Sequence, residues 1–255
     1  MPKTTKSVSH IDAIHESVRA VFFQTELDDF HYATNGGTLF IVRFRSRPYA
    51  ITCKHVLRQF EASALFVARE RYAKKGSKPA PVKTLCFPSS PTGGAADSDV
   101  EDLCIIEFED VLDADWFEGA EYSLDERPFG TSSEGHHVTA FGVLKEKSWI
   151  EPPDITFGYC RLDMIDGGST SDPLLRVARA LFFRPDFKTV TGMSGAPVFD
   201  QTSGVLCGMV TRGGMTGDYC ELRYVDIFDL TRLLESVSAG ASAASYTKSV
   251  QLKLK

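Results

Sequence analysis

A serine flanked by two glycines is the first feature of this sequence that could carry chemistry. The stretch TVTGMSGAPVFD, residues 189–200, places Ser194 between Gly192 and Gly195 and continues into the strand-like residues VFD. Two glycines this close indicate a backbone conformation that side chains would block. A serine at the apex of such a turn either helps to form the turn or acts as a nucleophile. The nucleophile interpretation requires a base and an acid elsewhere in the chain.

Histidine is the side chain best suited to activate a serine. Serine is a poor nucleophile unless a base takes its proton, a third group orients that base, and donors stabilise the developing oxyanion. Among the six histidines, His55 ends the β-rich run YAITCKH, and a strand end is a rigid support for a catalytic side chain. A histidine in such a place is by itself usually structural. The assignment of His55 as the base therefore depends on its partners.

The sequence predicts Asp102 as the group that orients the base. Asp102 stands directly before the apolar run LCIIEF, whereas the acids around it read as a solvated surface. A carboxylate drawn inward needs a hydrogen-bonding partner, and a histidine N–H supplies one. The alternative is that Asp102 only caps a strand. The chain order His55, Asp102, Ser194 is that of chymotrypsin-type hydrolases, not of subtilisins or α/β-hydrolases.

Short β-strands separated by turns are the elements that must position these residues. The β-rich runs occupy residues 38–44, 49–53, 102–108, 137–144, 155–162, 174–183, 196–200 and 204–211. Such strands favour a barrel or sandwich over a parallel sheet, so the fold class is expected to be all-β. A short helix is expected within 56–73. The clearest helix covers 226–237, where apolar residues recur at helical spacing and Asp226 can cap the start.

The polar loop at residues 123–135 falls near the middle of the strand set and predicts a boundary. The expected units are an N-terminal β-barrel with its leading segment, 1–125, and a C-terminal barrel with the terminal helix, 126–237. Residues 238–255 are small and polar at first and are expected to form a loosely ordered tail. The alternation in the final SVQLKLK leaves an extra strand or a docking segment as an alternative.

Charge, apolar runs and cysteine spacing exclude several classes of function. The net charge of −6 argues against a nucleic-acid-binding surface, and no apolar run is long enough to span a bilayer. The N-terminus lacks the apolar region of a secretory signal.

No two of the six cysteines have C-x-x-C spacing, which predicts reduced thiols, a cytoplasmic protein and no zinc. His136 and His137 have no third ligand at a useful spacing, so no metal or cofactor is expected.

Five stretches in order resemble the trypsin-like (chymotrypsin-fold) serine protease family over roughly residues 20 to 237. They are GGTLFIVRFRSRPYAITCKHVL, EDLCIIEF, VTAFGVL, GMSGAPVFD and GVLCGMVTRGG. The resemblance implies two six-stranded antiparallel β-barrels, a short C-terminal helix and an active site between the barrels. His55 and Asp102 would come from the first barrel and Ser194 from the second. The oxyanion hole would consist of the backbone N–H groups of Gly192 and Ser194.

The sequence departs from the family pattern beside the nucleophile. Met193 replaces the residue that, in the family's zymogens, is an aspartate that pairs with a newly cut N-terminus, so that activation route is expected to be closed. Lys188 falls where the family places the floor of its primary pocket, and there it would favour acidic substrate side chains or else point to solvent. Thr211, Arg212 and Gly213 match the strand that pairs with substrate backbone.

Two hypotheses about function follow. The first is a serine endopeptidase that hydrolyses peptide bonds of a protein or peptide substrate through an acyl-enzyme intermediate. The second is a dormant protease-fold binding module, or a protease that only a partner activates, because Met193 removes the usual anchor of the oxyanion loop. A restraining or activating protein partner is expected with either. Neither nucleic acid nor membrane is expected as a partner.

Overall fold

The computed structural model describes residues 10–25, 32–57, 62–69, 79–88, 102–109, 116–117, 119–151, 154–172, 174–180, 189–216, 219–239 and 247–251. Three α-helices occur in these ranges: α1 (His10–Ser17), α2 (Lys54–Leu57) and α3 (Ile227–Ser238). The strands of the first half are β1 (Val18–Ala20), β2 (Phe22–Gln24), β3 (Tyr32–Ala33), β4 (Thr38–Phe44), β5 (Arg47–Cys53), β6 (Leu65–Phe66), β7 (Val82–Pro88), β8 (Leu103–Phe108) and β9 (Tyr122–Ser123). Those of the second half are β10 (His137–Glu151), β11 (Asp154–Ser169), β12 (Leu175–Ala180), β13 (Pro197–Asp200), β14 (Leu206–Thr216), β15 (Tyr219–Asp226) and β16 (Thr247–Gln251).

The second half forms the closed six-stranded antiparallel barrel that was expected. Its strands follow the order β10-β11-β12-β15-β14-β13. Strand β13 therefore pairs with β10 on one side and β14 on the other. This position matters for function, because the Ser194 loop leads directly into β13. The barrel encloses buried apolar side chains that include Val138, Ala140, Val198 and Val210.

The first half forms the other expected β unit as a partly barrel-like sheet. Its main sheet has the order β1-β4-β5-β8-β7-β16, and β9 pairs with β4 in parallel. Strand β1 has only three residues, and the next strand, β2, pairs with β3 and β6 in a separate sheet. Within the described ranges, no strand joins the two ends of the main sheet. The all-β fold class itself is confirmed.

Two elements predicted from strong local sequence patterns, one strand and one helix, are present in the structure. The run 38–44 coincides with β4, every residue of which is buried except the half-buried Arg43. Helix α3 begins one residue after the predicted cap, and the Asp226 side chain accepts from the N–H of Phe228 at 3.0 Å. The helix buries Ile227 and Leu230, among others, against the core.

Tertiary pairing decides the structure in two places where the local pattern is weak. Among the described residues of 56–73, helical turns occur at the end of α2 and at Ala62–Ala64, which is a 3₁₀ helix, and Leu65 and Phe66 pair with β2 as strand β6. In the tail at residues 238–255, for which an extra strand was an alternative, Thr247–Gln251 form β16, which pairs antiparallel with β7. The edge of β7 offers unpaired backbone groups, and an alternating segment satisfies them.

Two further observations concern the cysteines and the helices. None of the six cysteines, all of which lie in described ranges, forms a disulfide, and all are buried. None of the described helices combines the length and apolarity needed to cross a membrane.

Candidate active site

The Ser194 loop has a shape that only glycine permits at two positions. Gly192 and Gly195 have φ angles of +106° and +89°. A Cβ on Gly195 would lie 1.8 Å from the Thr38 carbonyl oxygen, and one on Gly192 would lie 2.5 Å from that of Val143. The interpretation of the two glycines as a sterically required turn is therefore confirmed.

Hydrogen bonds hold this loop on both sides. Met193 N–H donates to Val190 O (3.1 Å), and Gly195 N–H donates to Val210 O (2.8 Å). In contrast, no acceptor among the described residues binds the N–H of Gly192 or of Ser194. The two amides named in the sequence analysis as the oxyanion hole therefore remain available to a ligand.

Met193 fills the barrel interior instead of reaching for a charged partner. Its side chain is 1% exposed and belongs to the barrel core. A Cβ on Gly142 would lie 3.1 Å from its sulfur atom, so the thioether packs directly on β10. Burial of a methionine anchors the loop through apolar packing, where an acidic residue would need an ion pair.

His55 and Asp102 meet because β5 and β8 are paired. The register aligns Cys53 with Leu103, so the residues just beyond these strand ends lie side by side. Nδ1 of His55 lies 2.5 Å from Oδ2 of Asp102, and the backbone N–H of His55 donates to Oδ1 at 2.9 Å. Asp102 is 7% exposed. This is the buried carboxylate with a histidine partner that the sequence predicted.

Ser194 lies in the same cleft as this pair. The cleft has a volume of about 640 Å³, and its lining includes Gly192, Thr211, Arg212 and Gly213 in addition to His55, Asp102 and Ser194. The hydroxyl of Ser194 donates to Thr211 O at 3.2 Å and forms no hydrogen bond with His55. The structure thus brings together the predicted site residues with one exception, Lys188, which lies outside the described residues.

Cys53, which the search for catalytic residues did not single out, borders the site. Its sulfur, a ring nitrogen of His55 and a carboxylate oxygen of Asp102 lie within 4.8 Å of one another. These are residue types that bind zinc. The thiol donates to Val210 O at 3.3 Å, and the other two groups bind each other. The adjacency of Cys53 and Leu103 in the register was the signal that could have placed Cys53 here.

A second histidine–aspartate pair lies away from the cleft. Nδ1 of His136 is 3.2 Å from Asp200 Oδ2, and the His136 side chain is 58% exposed. The same carboxylate accepts from the N–H and the hydroxyl of Ser203, both at 2.8 Å. Because these bonds close the turn between β13 and β14, the pair has a structural role in that turn.

A model of the trypsin-like peptidase domain matches residues 37–209 of the chain. The matched range begins at the glycine before β4, ends in β14, and contains all three residues of the His55–Asp102–Ser194 set. The chain belongs to the trypsin-like peptidase family. No curated protein matches this trypsin-like peptidase.

Solved structures similar to this trypsin-like peptidase share its fold at low sequence identity. The thermostable serine protease AL20 from an extremophilic microorganism is 14% identical, with a TM-score of 0.55, and 89% of this chain and 99% of that chain are covered. The scabies mite inactivated protease paralogue S-D1 is 10% identical, with a TM-score of 0.57 and coverage of 89% and 94%. A mutant form of the tobacco etch virus protease is 12% identical, with a TM-score of 0.51 and coverage of 96% and 86%.

Family membership confirms the resemblance drawn from the five sequence stretches. It supports peptide-bond hydrolysis as the activity of this trypsin-like peptidase and a protein or peptide as its substrate. The similar structures bear on the fold alone, because their identities are so low.

Proposed function

We propose that the protein is a serine endopeptidase in which Ser194 is the nucleophile, His55 the general base and Asp102 the group that orients His55. The observation that carries this proposal is the double contact of Asp102 with the His55 ring and backbone, in the cleft that Ser194 also lines. With Nδ1 bound to Asp102, Nε2 is the ring nitrogen left to accept a proton.

The reaction proceeds in two balanced halves. Ser194 Oγ forms a bond to the peptide carbonyl carbon while its proton passes to His55 Nε2, and the oxyanion binds the N–H groups of Gly192 and Ser194. The C–N bond then breaks, and the imidazolium protonates the leaving amine. Water, deprotonated by His55, attacks the resulting ester and releases the carboxylate product and Ser194.

Ser194 must rotate before it can react. Its hydroxyl donates to Thr211 O in the structure, so attack requires the hydroxyl to turn from this acceptor toward His55. Hydrogen bonds between catalytic groups are often long or misaligned without substrate. A substrate that binds along β14 would use the Thr211 carbonyl as an acceptor and thereby free the hydroxyl.

The substrate is proposed to be an extended peptide that adds to β14 at Thr211, Arg212 and Gly213. All three residues line the cleft, and the pairing of β13 with β14 ends at Met209, so no described strand occupies that edge of β14 at residues 211–213. Backbone pairing of this kind gives affinity, and side-chain pockets give selectivity. Lys188 stays part of this proposal as a residue of the primary pocket.

The compartment is proposed to be the cytoplasm. Six buried cysteines without a single disulfide suit a reducing environment.

A dormant site that needs a partner is the second candidate. The observation that favours it is the Ser194 hydroxyl, which binds Thr211 O instead of His55. The scabies mite paralogue, whose name describes it as inactivated, has the same fold, so the fold by itself does not imply turnover. In this case an activating partner would reorient Ser194.

Fluorophosphonate labelling of the purified protein, measured by intact mass, separates the two candidates. The expected result is a single adduct that disappears in Ser194→Ala, together with loss of peptide cleavage on the order of 10⁶-fold. The matched control is Ser203→Ala, because Ser203 also bonds a carboxylate that contacts a histidine. Well-folded wild-type protein without an adduct would favour the dormant site. An adduct that persists in Ser194→Ala would contradict both.

A further inference from the structure

The first residue of β4, Thr38, touches the Ser194 loop at two points. Its side chain is fully buried, and its hydroxyl donates to Gly192 O at 2.8 Å while accepting from Val143 N–H at 2.9 Å. Its own backbone N–H donates to Ser194 O at 2.9 Å. Thr38 lies in the first sheet, so it connects that half of the molecule to the loop of the second.

Four successive peptide groups of the loop are held by these and neighbouring bonds. The carbonyl of Thr191 accepts from Lys145 N–H (2.8 Å), and that of Met193 accepts from Ala196 N–H (2.9 Å). The carbonyls of Gly192 and Ser194, which alternate with them, are the two that Thr38 binds. In a trans peptide the C=O and N–H point in opposite directions. The Gly192 carbonyl shares its peptide group with the N–H of Met193, so the Thr38 hydroxyl fixes the peptide group that lies between the two that carry the amides of the oxyanion hole.

We propose that the Thr38 hydroxyl is a positioning group that keeps the oxyanion hole formed in the intact chain. Gly192 lacks the side chain that would restrict its backbone, and the Thr38 hydroxyl is the side-chain group bound to its carbonyl. Together with the buried Met193, Thr38 takes the place of an ionic anchor made by a cut N-terminus. This inference rests on the proposed function for its catalytic consequence, but the loop geometry can be tested separately.

The test compares Thr38→Val, which removes the hydroxyl at nearly constant shape, with Thr38→Ser, which retains it. We expect Thr38→Val to lower kcat about 10- to 100-fold with KM changed less than about threefold, because loss of a whole oxyanion donor costs about 10²- to 10³-fold. Thr38→Ser should restore kcat to within about threefold of wild type. Thr139→Val is the control, since Thr139 is equally buried in β10 but bonds Asp163 instead of the loop.

Amide hydrogen exchange of residues 189–196 provides a readout that does not require activity. Thr38→Val should speed exchange at the amides of Met193 and Gly195, which are bonded in the wild type, while Thr139→Val should not. If exchange speeds up and no variant cleaves peptide, the positioning holds and the proposed function fails. Unchanged exchange in Thr38→Val, or a Thr38→Ser variant as impaired as Thr38→Val, would overturn the positioning role.

The cleft is lined by several positively charged side chains, which support a second inference that does not depend on Thr38. The charged lining residues other than the His55–Asp102 pair are the exposed cations Lys54, Lys145 and Arg212, although the whole chain has a net charge of −6. Lys145 is on β10 and Arg212 on β14, the two neighbours of β13. Because the Ser194 loop leads into β13, these two cations lie on opposite sides of the nucleophile.

We propose, on the basis of the proposed function, that the cleft selects peptides with acidic side chains near the cleaved bond. The stem of Lys145 lies along Gly36, since a Cβ there would be 2.8 Å from the Lys145 Cβ, and both residues line the cleft. No described acidic side chain forms an ion pair with Lys145 or Lys54. A substrate carboxylate can therefore occupy their positive field.

Paired peptides that differ only by Glu or Gln near the cleaved bond test this selectivity. The expected kcat/KM ratio is on the order of tenfold in favour of Glu, falling with added salt. Lys145→Glu should abolish the ratio, whereas Lys147→Glu, two residues along the same strand and outside the cleft lining, should keep it. Binding of the same peptides to Ser194→Ala, followed by fluorescence anisotropy, gives the answer even if nothing is cleaved. Equal affinity for both peptides would overturn the inference.

Discussion

The Asp102 carboxylate controls His55 at two atoms. One oxygen binds the ring at Nδ1 and the other accepts the backbone N–H, so the ring orientation and the start of α2 depend on the same group. A neutral asparagine at position 102 could still accept a hydrogen bond from the backbone N–H of His55. It could not, however, stabilise a positively charged imidazole or hold the proton on Nδ1.

Replacement Asp102→Asn should therefore lower kcat by roughly 10⁴-fold, because an amide donor facing Nδ1 favours the wrong tautomer. The measurement is peptide hydrolysis at neutral pH with the unfolding midpoint recorded in parallel. Asp226→Asn is the control, since asparagine also caps a helix well and Asp226 is remote from the reaction. A decrease of less than about tenfold would mean that Asp102 does not orient the base.

Among the elements, the β13–β14 hairpin supports the Ser194 loop, which leads directly into β13. Its turn is closed by Asp200, which accepts from the N–H groups of Thr202 (3.0 Å) and Ser203 (2.8 Å) and from His136. Burial alone would raise the pKa of Asp200, but the hydrogen bonds from Ser203, His136 and Thr202 outweigh it and lower the pKa below its ordinary value. The ionised carboxylate thus stabilises the turn.

The lowered pKa predicts a pH-dependent cost of Asp200→Asn. A carboxyl group whose pKa is lower in the folded state contributes stability above its unfolded pKa of about 4 and loses it as the pH falls through the folded value. The variant should lose about 1 kcal/mol at pH 7 and progressively less below about pH 4. Urea unfolding of both proteins at pH 7 and pH 3 measures this difference. A cost that stays constant between the two would contradict the pKa direction.

Across the whole molecule, the two halves are joined by a hydrophobic cluster to which both contribute, beside the separate core inside the barrel. The cluster that contains β4, β5 and β8 also contains Phe141, Phe199 and Met209 from the barrel and Leu230 from α3. The cleft between the halves therefore has rigid walls without help from disulfides. The cysteines contribute to this core as small apolar groups.

Burial raises the pKa of Cys86 and Cys220 to about 11 and that of Cys207 to about 12. We therefore expect the native protein to react slowly with a thiol-directed disulfide reagent at pH 8, since the thiolate is the reactive form. All six thiols should react on unfolding in urea, and a reductant should not change the unfolding midpoint. A midpoint that falls with reductant would reveal a disulfide.

Local sequence signals identified the candidate catalytic residues. Ser194 between two glycines, His55 at a strand end and Asp102 before an apolar run were identifiable because each depends on its immediate neighbours. The same holds for β4 and for α3 with its Asp226 cap, where the apolar period and a capping side chain are local.

Long-range pairing decided the rest, because its energy comes from partners distant in the chain. The first sheet stays open because β2 pairs with β3 and β6 in a separate sheet. Strand β16 forms because it can pair with the edge of β7. The contact of Thr38 with the Ser194 loop could not be predicted either, since its hydroxyl donates to the carbonyl of Gly192, which is 154 residues away in the chain. Sequence by itself determined which side chains could react. Only the tertiary structure decided which backbone groups hold them, because those contacts are made between the two halves of the fold.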